Sequence, residues 1–207
     1  FATLVTVAGG KISEVREAGG PTGTKITVTD LFYNTPARKK FLKSPATEST
    51  NIHQIITKLA LSHPDIVFKL INGNRTVLST PGNGEPLSAL TGLYGGKIAP
   101  EILKIEYRGE VMAINGYIGK PTLLKSNRHW QTFIVNNRVV NNRVMLKALD
   151  NAYYSLLPHS GHPLALINIT LPGNMIDVNV HPQKSEIKFA DDSQIFKAIY
   201  AAVTTAL

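Results

Sequence analysis

The sequence predicts an α+β fold. Short segments alternate apolar and polar residues, as strands do, at many points along the 207 residues. Two longer segments carry apolar residues at helical spacing instead. Strands and helices follow one another without the strict strand–helix–strand alternation of a parallel α/β sheet.

The elements follow in order. Residues 3–7 and 11–16 flank Ala8-Gly9-Gly10 and read as a hairpin. TKITVTDL (24–31) reads as a strand with Ile26 and Val28 on one face, before the irregular run FYNTPARKKFL. Residues 47–62 read as a helix with Ile52, Ile55, Ile56, Leu59 and Ala60 in one stripe. Thr47, Ser49 or Thr50 is the expected cap, and His63-Pro64 the stop. IVFKLI and RTVLS around Asn72-Gly73 make a second hairpin. TPGNGEP (80–86) concentrates Pro and Gly and is the expected domain boundary. A short helix at 87–94 ends at Gly95-Gly96, and strands near 102–108 and 111–118 follow. TFIV (132–135) leads into NNRVVNNR. A helix at about 142–157 carries Met145, Ala148, Leu149, Ala152, Tyr153 and Leu156 on one stripe. LALINITL (164–171) and MIDVNV (175–180) are expected to pair across Pro172-Gly173-Asn174. A last helix spans about 192–205, capped by Asp192 or Ser193.

Composition narrows the function. Hydrophobic residues make up 43% and charged residues 17%, enough for an ordinary core. No stretch approaches the ~20 apolar residues that span a bilayer. With no cysteine, disulfides, thiol catalysis and cysteine-ligated zinc are excluded. Lys and Arg number 22 against 14 acids, a formal charge of +8, which suits a polyanionic partner and argues against an acidic interaction module. The chain begins at Phe1, without Met, on an apparent strand, and reads as an excised piece.

Self-sufficient catalytic chemistry is absent from the pattern. His159 and His162 lie close in sequence, but zinc needs three or four ligands and no carboxylate is near. Asp191-Asp192 suits a helix N-cap. Gly23-Thr24 opens a strand, where a plain turn glycine is the ordinary reading and a close backbone approach to a ligand the sharper one. Arg38, Lys39, Lys40 and Lys43 form one basic loop; Arg138 and Arg143, among Asn136, Asn137, Asn141 and Asn142, form a second polar-basic cluster. Lys120, Lys125, Arg128 and His129 extend it. Side chains of this kind reach a phosphate backbone without reading bases. In VNVHPQKSEIKF (178–189), Val178 and Val180 alternate with Asn179 and His181, Pro182 interrupts the ladder, and Lys184 follows at once.

Two of these stretches carry a resemblance. GTKITVTDLFYNTPARKKFL (23–42) resembles the MutL family pattern GT-x-V-x-V-x-x-LF-x-N-x-PAR-x-K-FL. IDVNVHPQKSEIKF (176–189) is similar to that family's VDVNVHP-x-K-x-EV-x-F. FIVNNRVV resembles its Y-x-x-VNGR, with Asn137 where Gly is usual; a positive φ would explain the exchange. MutL proteins act in DNA mismatch repair, and the resemblance covers essentially the whole chain.

The resemblance implies an architecture and a set of roles. Residues 1–82 would be the C-terminal part of an ATPase sandwich of the gyrase, heat-shock chaperone, histidine-kinase and MutL class. Residues 83–207 would be a transducer domain, similar to the second domain of a ribosomal small-subunit protein. The catalytic Glu, the magnesium-binding Asn and the D-x-G-x-G motif would lie upstream, so the longer protein would be an ATPase using ATP and magnesium while this piece turns over and binds neither. Gly23 and Thr24 match a nucleotide-binding motif. Asn34, Pro36, Ala37 and Arg38 match the contact between ATPase and transducer domains. Lys184 matches the catalytic lysine that touches the terminal phosphate, a compact charge on a long stem. Arg143 and Arg138 match basic positions of a groove for DNA. Expected partners are DNA, bound mostly without sequence preference, a mismatch-recognition protein of the MutS type, and a second copy in a homodimer, with no membrane. The expected location is the bacterial cytoplasm and nucleoid, or the nucleus in a eukaryote. Rival readings are a topoisomerase-type transducer, which would carry a Q-T-K lysine loop, and a non-enzymatic nucleic-acid-binding module.

Overall fold

A computed structural model describes residues 1–158, 161–177 and 187–207. The chain divides into two compact units, Phe1–Ser49 and Thr50–Leu207.

In the first unit, β1 (Ala2–Ala8) and β2 (Lys11–Ala18) form the expected antiparallel hairpin, with Val5 opposite Val15. Gly9 (φ 58°) and Gly10 (φ 83°) make its turn. A side chain at Gly9 would meet the Tyr33 hydroxyl at 2.6 Å, so the tyrosine lies directly on that turn. The expected strand over 24–31 does not form. A strand exists through its ladder, and no strand among the described residues pairs with this segment. Its alternation therefore leaves Ile26 and Val28 exposed. A short helix, α1 (Pro36–Lys40), follows.

The next helix, α2 (Pro45–Ser62), starts two residues earlier than the stripe predicts and runs through the division between the units. Its start is fixed by Ser44, whose Oγ accepts from the Thr47 amide at 3.3 Å, and by Glu48, which accepts from the Lys43 amide at 2.9 Å. The buried face also differs from the expected stripe. Thr57, Ala60 and Leu61 are buried, whereas Ile52, Ile55 and Leu59 are exposed.

In the second unit, β3 (Lys69–Asn72) and β4 (Arg75–Ser79) form the hairpin read at Asn72-Gly73. Residues 80–86 are stitched down: the Thr80 amide donates to the Phe68 carbonyl, the Phe68 amide to Thr80 Oγ1, and the Gly84 amide to the Pro64 carbonyl. Helix α3 (Pro86–Tyr94) then ends at Gly95, which sits at φ 91°. The strands β5 (Ile102–Arg108), β6 (Ala113–Gly119), β7 (Leu124–Lys125), β8 (Gln131–Val135) and β9 (Arg138–Val140) precede α4 (Arg143–Ala152). After it come β10 (His162–Pro163), β11 (Ala165–Thr170), β12 (Ile176–Asp177), β13 (Lys188–Phe189) and α5 (Asp192–Ala206).

The central sheet has the order β5-β6-β11-β8-β9, antiparallel except for the parallel β11–β8 pair. That order corrects one expected pairing. β11 already has β6 and β8 on its two edges, so Ile176–Asp177 pairs with Lys188–Phe189 instead. One face of the sheet, through Ile105, Ile114, Phe133, Val135, Ile167 and Ile169, packs on α4 and α5. The other, through Ile134 and Leu166, packs on Leu61 of α2 and Ala89 and Leu90 of α3. Every residue of β8 is buried as a result. Helix α4 is shorter than the 142–157 stripe: Met145, Ala148, Leu149, Ala152 and Tyr153 are buried, and Leu156 is exposed beyond its end.

Candidate nucleic-acid interface and nucleotide-facing segments

Within the first unit, the loop before α1 is built from tight turns. Asp30 (φ 49°) and Phe32 (φ 66°) are both left-handed, and the amides of Tyr33 and Thr35 donate back to the carbonyls of Asp30 and Phe32. Asn34 is exposed just after these turns. Pro36 opens α1, where its missing N–H costs nothing, and Ala37 and Arg38 follow, also exposed. Arg38, Lys39 and Lys40 make up the last turn, the end of a helix that favours cations. Gly23 holds φ 143° with open space where a side chain would stand, and Thr24 beside it is exposed. A ligand can approach such a backbone closely, and residues with a Cβ rarely adopt it.

Within the second unit, NNRVVNNR forms the end of the sheet and the start of α4. Asn136 (φ 47°) and Asn137 (φ 64°) make a two-residue turn, with Val135 opposite Arg138. The positive φ expected at Asn137 is present. Asn136 does more than turn the chain: its Nδ2 donates to the Leu171 carbonyl at 2.9 Å, and its Oδ1 accepts from the Leu171 amide at 3.1 Å. Asn142 caps α4, its Oδ1 accepting from the amides of Val144 (2.9 Å) and Met145 (3.1 Å). The same side chain donates through Nδ2 to the Ile187 carbonyl at 3.1 Å. Arg138 and Arg143 stand exposed beside these two asparagines. Sequence reasoning grouped the asparagines with the arginines as one polar cluster but missed the five side-chain bonds to distant backbone and helix cap.

The adjoining basic loop is less free than its composition suggests. Arg128 makes a two-point ion pair with Asp150 of α4, at 2.8 and 2.9 Å, and also donates to Gln131. Lys125 places its Nζ 3.6 Å from the centre of the Trp130 ring, whose other neighbour, Tyr94, stacks at 4.0 Å. Burial pushes the Tyr94 hydroxyl up to about 12. Lys184, like His181 and Pro182, lies outside the described residues, as do His159 and Ser160. On either side of residues 178–186 the chain is fixed: Ile176 pairs with Phe189, Asp177 with Lys188, and the Ala190 amide donates to the Met175 carbonyl at 2.9 Å. Among the described residues no three histidines or carboxylates converge as a metal site.

Comparison with known proteins separates the readings. Residues 90–207 match the family described as DNA mismatch repair protein, C-terminal domain. The chain is 42% identical over 193 residues to the DNA mismatch repair protein MutL of Syntrophomonas wolfei, covering 93% of this chain. It is 39% identical over 203 residues to that of Symbiobacterium thermophilum, covering 98%.

The chain belongs to the MutL family of DNA mismatch-repair proteins.

It spans about a third of the length of these curated relatives, 33% and 32% respectively. Solved structures agree on the fold. The N-terminal domain of a DNA repair protein superposes with a TM-score of 0.80 at 21% identity, covering 95% of this chain and 64% of that one. The Aquifex aeolicus MutL ATPase domain complexed with ADP superposes with a TM-score of 0.65 at 19% identity, covering 94% and 65%. The MutL resemblance read in the two motifs therefore holds across the chain, and the α+β arrangement is the one MutL ATPase domains share.

Proposed function

We propose that the chain is the part of a MutL-type protein that joins nucleotide state to DNA contact during mismatch repair. The observation that carries this is the identity of about 40% to MutL proteins over nearly the whole chain. In this reading residues 1–82 complete an ATPase domain, and residues 83–207 are the transducer, of the ribosomal small-subunit protein type. The longer protein hydrolyses ATP with magnesium, dimerises, answers a MutS-type mismatch-recognition protein, and works in the bacterial cytoplasm at the nucleoid.

Each residue has a role in that reading. Gly23 and Thr24 line the nucleotide, and the open left-handed backbone at Gly23 suits a ligand held against the main chain. Asn34, Pro36, Ala37 and Arg38 form the contact between the two domains. ATP, when bound, supplies the terminal phosphate, and Lys184 neutralises its oxygens as a point charge, without needing fork geometry. Arg138 and Arg143 hold DNA phosphates without reading sequence. The metal ligand and general base belong to upstream sequence in the family, so turnover is assigned to the longer protein.

The test joins this chain to the upstream ATPase segment of a MutL relative and measures ATP turnover. Lys184→Ala is expected to lower kcat by about 100–1,000-fold, the scale of losing one preorganised electrostatic group at the reacting centre. An unchanged kcat removes the lysine from the nucleotide site.

A further inference from the structure

The chain is held from one place at Leu171, ahead of β12, and at Ile187, which leads into β13. A single eight-residue segment, NNRVVNNR, supplies both grips. On the side where the chain leaves the sheet, Asn136 clasps Leu171 through both atoms of its amide, and its own amide donates to the Ile169 carbonyl at 3.0 Å. On the side where the chain returns, Asn142 holds the Ile187 carbonyl. Between the two asparagines runs β9, anchored by Val140, which is buried in the core. Beyond them, β12 pairs with β13, so the leaving and returning chains are also fixed to each other. Each asparagine lies next to a candidate DNA contact: Arg138 is two residues past Asn136, and Arg143 directly follows Asn142.

We propose that Asn136 and Asn142 are positioning residues that carry DNA engagement at Arg138 and Arg143 to the β12–β13 pair. This rests on the reading of those arginines as DNA contacts and of Lys184, between β12 and β13 in sequence, as a nucleotide contact. The chemistry suits the task. An amide side chain donates and accepts at once, so Asn136 satisfies both backbone groups of Leu171, and Asn142 joins the start of α4 to Ile187. When phosphates order the two arginines, the turn and the α4 cap become fixed, and so in turn do Leu171, which follows β11, and Ile187, which leads into β13. Such a link needs no movement, only a shared loss of local opening.

Hydrogen exchange of the whole chain, with and without a short DNA duplex at low salt, tests this. Asn136→Gly keeps a residue at home at positive φ and removes the clasp. Asn142→Ser keeps a cap acceptor but its hydroxyl is too short to reach Ile187. Both variants are uncharged, so DNA affinity by filter binding is expected to stay within about twofold of the parent. DNA is expected to slow exchange at the Ala190 amide, whose acceptor Met175 neither variant touches, about fivefold in the parent and hardly at all in the variants. Equal slowing in parent and variants overturns the link, and so does DNA binding without slowing in the parent. Should the parent fail to bind DNA, the DNA reading falls and takes the link with it. If Asn142→Ser does not fold, Asn136→Gly decides alone.

Discussion

Tyr94 shows how one side chain records its surroundings. It stacks on Trp130, and its buried hydroxyl meets no partner among the described residues. Burial disfavours the phenolate, which raises the hydroxyl to about 12. The folded state thus holds this proton more tightly than the unfolded state does. The resulting stability is full below about pH 10 and is lost as pH rises through about 12. Tyr94→Phe removes both the titration and an unpartnered buried group. Unfolding free energies from urea denaturation are expected to match or exceed the parent's by about 1 kcal/mol at neutral pH, and to fall less steeply between about pH 10 and 12. Parallel alkaline limbs would remove Tyr94 as the titrating group. Asn137 is the opposite case, a residue whose backbone was legible in advance. An asparagine standing where glycine is usual announces a positive φ, and it has φ 64°. The bonds of Asn136 to Leu171 and of Asn142 to Ile187 were not legible, because they join residues 35 and 45 positions apart. No local pattern encodes such a distance.

At the scale of elements, local signals worked where an element carries its own partners. The β3–β4 hairpin needs only its turn, and α4 needs only its apolar stripe and cap. Where the partner is remote, local signals failed. The segment 24–31 alternates correctly but meets no strand among the described residues, and Ile176–Asp177 pairs elsewhere because both edges of β11 were taken. Helix α2 is the instructive middle case: its helicity is local, but the face it buries is chosen by the sheet and α3. Leu61 packs with Leu90, Ile134 and Leu166, whereas Ile55 is exposed. Leu61→Ala is expected to cost about 2–4 kcal/mol in chemical denaturation and Ile55→Ala less than about 0.5 kcal/mol. Equal costs would mean that the buried face of α2 is the one the periodicity suggested.

For the whole molecule, the charge of +8 becomes meaningful only through where cations are free to meet a partner. Arg128 is spent on Asp150 and Lys125 on Trp130, while Arg138 and Arg143 stand exposed at the end of the sheet. The candidate site was legible largely as motif. The two MutL-type signatures supplied nucleotide-contact candidates and the NNRVVNNR stretch DNA-contact candidates, but the sequence alone did not separate exposed cations from engaged ones, since pairing depends on folded neighbours. Filter binding of duplex DNA across a range of salt concentrations measures the difference most directly. Each phosphate contact contributes about −0.9 to the slope of log affinity against log salt. Replacing Arg138 and Arg143 together by Ala is expected to make that slope shallower by about 2 and to weaken binding at low salt by at least about tenfold. Affinity and slope equal to the parent's would contradict the account, because the DNA surface would then lie elsewhere on the molecule.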